Sequence, residues 1–387
     1  DGTRMTLTEM MNADGRQSED QSMLRASLRL PEALDSMPSY RVIGVMSGSS
    51  LDGLDLALCE LELKRGHWSF DIEKAKTVKY SAAMQHRLKK VMSGSAFDLA
   101  ELDAEIGAFI GKACLSFAKG VGRVDLIASH GHTIFHQPKK RITTQIGSGA
   151  AIAAISGITT MCDFRSTDVA LGGQGAPLVP LGEKLLFPEH QAFLNIGGIC
   201  NISLHGSERV IGYDVCIGNQ ALNFLANETG KSYDRDGRMA STGAVNGALL
   251  AKLNALPFHR QKPPRSLGRE WFDANVLPLI ANARIPLADR MRTVVEHIAE
   301  QVGVAAKELR APLLVTGGGA HNSFLMDRLC AQLEFGLVIP SREVVDYKEA
   351  LVFALLGVLR LRGEANALKS VTGAKKDSVG GAVYLAN

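Results

Sequence analysis

Apolar positions along the chain follow two spacings, one of strands and one of helices. Tyr40 to Val45 is a strand-forming run, Met46-Ser47-Gly48-Ser49-Ser50-Leu51-Asp52-Gly53 is small and polar, and Leu54 to Leu63 alternates apolar with polar residues. Strand, small turn, strand predicts a glycine-rich β-hairpin. The layout returns about 150 residues later, where Ala192 to Ile196 leads through Gly197-Gly198 into Ile199 to Leu204. Two similar hairpins, one in each half, predict duplicated lobes facing one another. A third strand, Ala311 to Thr316, runs into Gly317-Gly318-Gly319-Ala320-His321-Asn322 and then a helical stretch, Ser323 to Leu333. Strand, glycine turn, helix aims backbone N–H groups and a helix N-terminus at an anion or a flat base. Helical spacing covers 98–119, 218–228, 285–309 and 346–361, and buried-looking strands cover Asp125 to Ser129 and Ile158 to Asp163. Strands alternating with helices predict α/β lobes.

Length sharpens this picture. A single core stops growing near ~250 to 300 residues, so 387 residues favour two lobes with a cleft between them as the default active site. Hydrophobic residues at 46% and charged residues at 21% exclude collagen, coiled coil and wholesale disorder. With 43 Lys+Arg against 40 Asp+Glu the net charge is +3, and no dense basic run is present. That argues against a nucleic-acid or anionic-membrane partner and for a neutral or small anionic ligand. The 6 cysteines are widely spaced, never C-x-x-C, and sit mostly in apolar stretches, so they read as reduced core residues of a cytoplasmic protein. Ala350 to Leu359, the longest apolar run, is about half of the ~20 residues a membrane span needs. Residues 1–38 carry four Arg and seven Asp/Glu without a basic end followed by an apolar block; they are expected to form a flexible extension rather than a signal peptide.

Glycine turns after strands suggest phosphate, but the common nucleotide motifs fail on inspection. Gly230-Lys231-Ser232 resembles the end of a P-loop, yet position 225 is Leu225; Gly147-Ser148-Gly149 lacks its third glycine, because position 152 is Ile152. Several separate turns converging on one ligand remain, as in a cleft-type kinase. Asp163-Phe164-Arg165 follows a buried strand and precedes the loop Gly172-Gly173-Gln174-Gly175-Ala176-Pro177-Leu178-Val179-Pro180. Arg165 suits bidentate carboxylate or phosphate recognition, and a local ion pair is the plainer alternative. Asp214 ends a short strand and precedes a helix near Gln220 to Ala226, so it reads equally as a cap or as a catalytic carboxylate. His130 and His132 form an H-x-H after a strand, which could begin a metal site, but no further ligand follows a clear parallel strand except His321 inside a glycine turn. Lys348-Glu349 opens an apolar helix, where a Glu simply favours the helix dipole. Ser266-Leu267-Gly268-Arg269-Glu270-Trp271, bounded by Pro263-Pro264, reads as a surface turn with a snorkelling Arg.

These segments together resemble the anhydro-N-acetylmuramic acid kinase family, sugar kinases of the actin-like ATPase superfamily. The resemblance runs from about residue 41 to 384 and rests on Gly44 to Gly53, Ser129-His130-Gly131, Asp163-Phe164-Arg165, Gly172 to Pro180, Leu194 to Gly198, Gly317 to Asn322 and Val371-Thr372-Gly373-Ala374. It implies an α/β fold of two duplicated actin-like, ribonuclease H-like lobes with an interlobe cleft: lobe I from 39–190 plus about 370–387, lobe II from 191–369. The implied activity is ATP-dependent, hydrolytic opening of 1,6-anhydro-N-acetylmuramic acid with phosphorylation of O6, in cell-wall recycling. The implied cofactors are ATP and Mg2+, and the implied partners are the sugar and the nucleotide, with a homodimer left open. Gly48, Ser49, Ser50, Leu51, Asp52, Gly53, Leu54 and Asp55 look like an ATP-binding segment, joined by Gly197, Gly198, Gly317, Gly318, Gly319 and Asn322. Asp214 aligns with the family's catalytic carboxylate, while Arg165, Asp163, Glu349 and His130 fall where sugar contacts are expected; no resident metal site is implied. Three places depart from the family pattern: Gly48-Ser49-Ser50 stands for Gly-Thr-Ser, Asp214-Val215-Cys216-Ile217-Gly218-Asn219 for Asp-Thr-Gly-Pro-Gly-Asn, and Gly147-Ser148-Gly149 for Gly-Asp-Pro. A kinase for another anhydro sugar such as levoglucosan, a non-catalytic actin-like sensor, and a metal hydrolase on His130 and His132 are the rival readings.

Overall fold

The computed structural model describes residues 39–48, 51, 53–206, 210–263 and 265–386. The expected extension 1–38, and Ser49, Ser50 and Asp52 of the first turn, fall outside the described residues.

The first hairpin pairs β1 (Ser39–Ser47) antiparallel with β2 (Gly53–Lys64), and β3 (His67–Lys79) continues the meander. β4 (Leu126–Ser129) lies parallel beside β1. A separate hairpin, β5 (His132–Gln137) with β6 (Ile142–Ile146), precedes β7 (Thr160–Cys162), which is parallel to β4. In the second half β8 (Ala192–Ile196), β9 (Ile199–His205) and β10 (Val210–Ile217) repeat the meander. β11 (Leu313–Thr316) runs parallel to β8, and β12 (Leu337–Val338) parallel to β11. The last strand, β13 (Ala382–Tyr384), returns to pair with β7. The sheet orders are therefore β13-β7-β4-β1-β2-β3 and β10-β9-β8-β11-β12. Each sheet has one antiparallel meander and two parallel strands on the far side of its first strand. This repeated order bears out the duplication expected from the two hairpins and the ribonuclease H-like, actin-like α/β architecture that the resemblance implied.

Three apolar clusters make the core. α1 (Ala96–Phe117), opened by a capping box between Ser95 and Asp98, covers one face of the first sheet through Leu102, Ile106 and Ile110. α2 (Gly149–Ser156) and α3 (Val179–Leu186) follow, then α4 (Asn219–Asn227), α5 (Leu287–Ala305) and α6 (Ser323–Cys330), of which the last three pack on the second sheet. The third cluster surrounds α7 (Arg342–Leu361) and joins Tyr40 and Ala57 of the first sheet to Phe193 and Leu314 of the second. A helix apolar on all sides must be buried on all sides, and α7 is so from Ala350 to Leu359. Its backbone touches β1 so closely that a Cβ on Gly44 would stand 1.9 Å from the Ala350 carbonyl oxygen. Only glycine permits that approach.

Several boundaries differ from expectation. α7 begins at Arg342, N-capped by Ser341, so Lys348 and Glu349 lie in its second turn rather than opening it. β10 does not end at Asp214 but continues to Ile217 past a bulge between Asp214 and Cys216. Cys330 is exposed and Cys162 half-buried, while the other four cysteines are core residues. Among the described residues no helix is long and apolar enough to cross a membrane.

Candidate active site

Three turns meet at the carboxyl end of β8. The Gly197 N–H donates to the Ile199 carbonyl at 3.2 Å, closing the β8–β9 turn. The N-terminus of α4 is pinned to this turn: Gly218 N donates to Gly198 O at 2.9 Å and Asn219 N to Gly197 O at 2.9 Å. Gly317, at φ +84°, packs its Cα face against Asn195 and Ile196, and Thr316 Oγ1 donates to Asn195 Oδ1 at 3.3 Å. Gly197, Gly198 and Gly318 differ from the tightly packed glycines. A Cβ built on any of them meets nothing closer than 3.7 Å, so the bare backbone faces open space that side chains would fill. Side-chain-free backbone over open space at two adjoining turns leaves room for a phosphate chain to approach closely. Asn322 accepts from Leu325 N at 3.0 Å as the N-cap of α6, so its Oδ1 serves the helix. In the first turn Leu51, at φ 60°, donates to Gly48 O at 3.3 Å, and Asp55 accepts from Thr77 Oγ1 at 2.6 Å. Leu54 is fully buried in the core, which removes its side chain from ligand contact.

Asp214 is half-buried on β10, the edge strand of the second sheet. Its Oδ2 accepts from Leu267 N at 2.7 Å, the one hydrogen bond to this carboxylate among the described residues. Burial pushes this carboxyl up to about 6, against the opposing pull of the Leu267 N–H and the Arg265 charge. A carboxylate with its pKa near the working pH, one oxygen fixed and the other open, has the properties of a general base.

On the first sheet, Arg165 and His130 form one unit. Arg165 Nε and Nη2 donate to His130 Nε2 at 3.0 and 2.9 Å, and Nη1 donates to Gly175 O at 2.6 Å. His130 Nδ1 donates to Gly131 O at 2.9 Å, so both ring nitrogens are engaged. Burial and the Arg165 charge keep this imidazole neutral, well below its ordinary range. His132 Nδ1 is bonded to Ser47 Oγ at 2.9 Å, and burial pushes it down to about 4. Both nitrogens of His130 are engaged, and among the described residues no group of three His, Cys, Asp or Glu side chains is placed to hold a metal with this pair. Glu349 is half-buried on α7; burial raises its pKa, and Lys348 and Arg165 oppose the rise. Asp163, at φ 58°, accepts from Ser166 Oγ.

Sequence reasoning did not single out Asp168, which is fully buried and organises the glycine loop. Its Oδ2 accepts from Gly175 N at 2.7 Å and its Oδ1 from Thr372 Oγ1 at 2.7 Å, and Gly173 comes so close that a Cβ would overlap the carboxylate. The loop then reaches the strand of Asp214, since Pro177 Cγ lies 3.0 Å from where a Gly212 Cβ would be. The Arg165 and Asp214 segments are thereby adjacent, though no direct contact joins Asp214 to Arg165 or Glu349 among the described residues. Arg265 and the Leu267 amide were also missed; the nearest sequence signal was the charged turn after Pro263-Pro264, read as surface.

The sequence profile of anhydro-N-acetylmuramic acid kinases matches residues 40–386. The chain belongs to this family. It is 39% identical over 368 residues to the anhydro-N-acetylmuramic acid kinase of Vibrio cholerae serotype O1, covering 88% of this chain and 97% of that one. The corresponding protein of Xanthomonas oryzae pv. oryzae is 36% identical over 374 residues, covering 91% and 99%. Among solved structures, the activator of 2-hydroxyisocaproyl-CoA dehydratase from Clostridium difficile with bound ADPNP is similar over 82% of this chain and 94% of that one, at 14% identity and a TM-score of 0.41. As a member of the anhydro-N-acetylmuramic acid kinase family, this chain is an enzyme, an ATP-using phosphotransferase with an alcohol group as acceptor.

Proposed function

We propose that this enzyme adds water to the anomeric carbon of 1,6-anhydro-N-acetylmuramic acid and transfers the γ-phosphoryl of ATP to the released O6, giving N-acetylmuramic acid 6-phosphate. The observation that carries the reading is Asp214: one oxygen is fixed by an amide, the other is open, and burial sets its pKa at about 6. Asp214 takes the proton of the attacking water as the C1–O6 bond breaks. O6 needs no separate acid, because phosphorus takes its place. Positioned base assistance of this kind contributes ~10²- to 10⁴-fold.

Arg165, held by neutral His130 and the Gly175 carbonyl, pairs with the lactyl carboxylate of the sugar, a group that a plain anhydro sugar lacks. Glu349 and Asp163 complete the sugar side. Gly197, Gly198 and Gly317 to Gly319 cradle the phosphates and nucleoside from the second lobe, and the Gly48 to Asp55 turn does so from the first, with lobes formed by 39–190 plus about 370–387 and by 191–369. Mg2+ would neutralise phosphate charge, and Asp55 of the first turn, whose charge reaches Glu349, is the carboxylate that would hold it. The product places the enzyme in recycling of cell-wall sugar in the cytoplasm, where ATP is made.

The test is mass analysis of product from ATP with either 1,6-anhydro-N-acetylmuramic acid or levoglucosan. A ring-opened 6-phosphate from the first and markedly slower turnover of the second are expected. Equal turnover of both would transfer the reading to a general anhydro-sugar kinase.

A further inference from the structure

Edge strands leave alternate N–H and C=O groups unpaired, and β10 at Asp214 is an edge that has been closed. Asp214 N donates to the Arg265 carbonyl at 3.0 Å, Arg265 Nε donates back to the Asp214 carbonyl at 3.0 Å, and Leu267 N holds Oδ2 at 2.7 Å. One tripeptide thus satisfies the backbone donor, the backbone acceptor and half of the carboxylate of a single residue. The same guanidinium gathers the loop that carries it. Arg265 Nη1 donates to the carbonyls of Phe258, His259 and Gln261 at 3.2, 3.1 and 2.9 Å. Its plane rests on the rings of Tyr213 and Phe258, 5.3 and 4.9 Å from their centroids. Four carbonyl oxygens gathered round one guanidinium, three on Nη1 and one on Nε, repel each other unless a cation with several donors stands between them. A guanidinium meets that demand, and a single ammonium does not.

We propose that Arg265 is a positioning residue for Asp214, drawing residues 258–261 and 265–267 onto the edge of β10 so that the Leu267 amide fixes Oδ2 and leaves Oδ1 as the working oxygen. The proposal rests on the reading of Asp214 as the base. Leu267 is two residues from Arg265, so any loosening of the clamp reaches the carboxylate directly. A displacement of about 1 Å in such a group costs on the order of 10²-fold in rate.

The groups packed around Asp214 decide what a titration reads. Tyr213 and Cys216 come from β10; burial pushes Tyr213 up, and the bond to Cys200 of β9, with burial behind it, pushes Cys216 up. His259, on the loop, is pushed down to about 4 by burial. Near pH 6 Tyr213, Cys216 and His259 are uncharged, which leaves Arg265 as the charge that holds the Asp214 pKa down.

The test uses the full chain with Arg265→Met, which keeps length and ring contact but removes donors and charge. Two quantities are measured: kcat with ATP and the anhydro sugar, and the midpoint of the Asp214 carboxyl by carbon-13 NMR, assigned by its loss in Asp214→Asn. The proposal expects kcat to fall at least about tenfold with KM for ATP unchanged, and the midpoint to rise by about half a pH unit or more. A smaller fall in kcat, or a midpoint that stays or drops, overturns it. If Arg265→Met does not fold, Arg265→Lys carries the test. It retains the charge and so the midpoint near the wild-type value, yet loses the fork, so that kcat still falls about tenfold; wild-type kcat in that variant refutes the clamp. Should the wild-type protein not turn over the sugar at all, the proposed reaction fails while the midpoint alone still decides the role of Arg265.

Discussion

Replacing Lys348 with Met isolates the energetics of the most deeply buried ion pair among the described residues. Lys348 on α7 and Glu183 on α3 are 2% and 3% exposed, with Nζ 2.5 Å from Oε1. Ser203 of β9 donates to Glu183 Oε2, and His205 Nε2 lies 3.5 Å from it, so the cluster ties the second sheet to both linking helices. Burial alone would push Glu183 up, but Lys348, His205 and Ser203 overcome it and hold the carboxyl at about 2. Removing one partner of such a pair leaves an uncompensated charge and costs about 3–5 kcal/mol. The sign with pH follows. In the wild type the Glu183 pKa is depressed on folding, so its contribution is full above the unfolded carboxyl range and is lost as pH falls toward 2. In Lys348→Met burial acts unopposed by the ammonium, the folded pKa rises, and stability is lost as pH climbs. The gap between the two proteins therefore widens from pH 4 to pH 7. Urea unfolding at several pH values measures it, and adding Glu183→Gln to Lys348→Met should recover at least about half of the loss, because the amide still bonds Ser203 without a charge. A gap below about 1 kcal/mol at pH 7, or one that does not change with pH, would refute the argument.

Three other outcomes follow from the geometry. The acid limb of kcat/KM should break near pH 6, where Asp214 takes up its proton, with kcat/KM falling about tenfold per pH unit below it; a break near 4 would mean that burial does not set this group. Arg165→Leu should raise KM for the lactyl-bearing sugar by about tenfold or more while leaving levoglucosan turnover little changed, which steady-state kinetics on both sugars will show. Gly44→Ala puts a Cβ against the Ala350 carbonyl and should destabilise by about 1–3 kcal/mol in urea unfolding, with catalysis of the folded fraction intact.

Much of the scaffold was legible because it is written in local pattern. Both hairpins, the Gly317 turn and the long helices announce themselves through alternation, glycines and helical spacing. β3 did not, because an edge strand carries Asp71, Glu73, Lys74, Lys76 and Lys79 outward and reads as polar. The start of α7 was placed too late because its first turn is charged, and only the Ser341 cap marks it. Arg165, His130 and Asp214 stood out as polar residues beside strands, and the structure supplies partners for each. Arg265 stayed hidden for a different reason: its partners are backbone carbonyls, which leave no mark in a sequence. Glu183 and Lys348, 165 positions apart, meet only through the fold.

The central claim is that separated glycine turns grip the triphosphate and set an ionised Asp214 beside the bridged sugar. A crystal structure with a non-hydrolysable ATP analogue and 1,6-anhydro-N-acetylmuramic acid tests it most directly. The account predicts phosphates on the Gly197-Gly198 and Gly48 turns and an ordered water within about 2.6–3.2 Å of Asp214 Oδ1, in line with the anomeric carbon. Phosphates bound away from both turns, or a carboxylate facing away from the sugar, would contradict it.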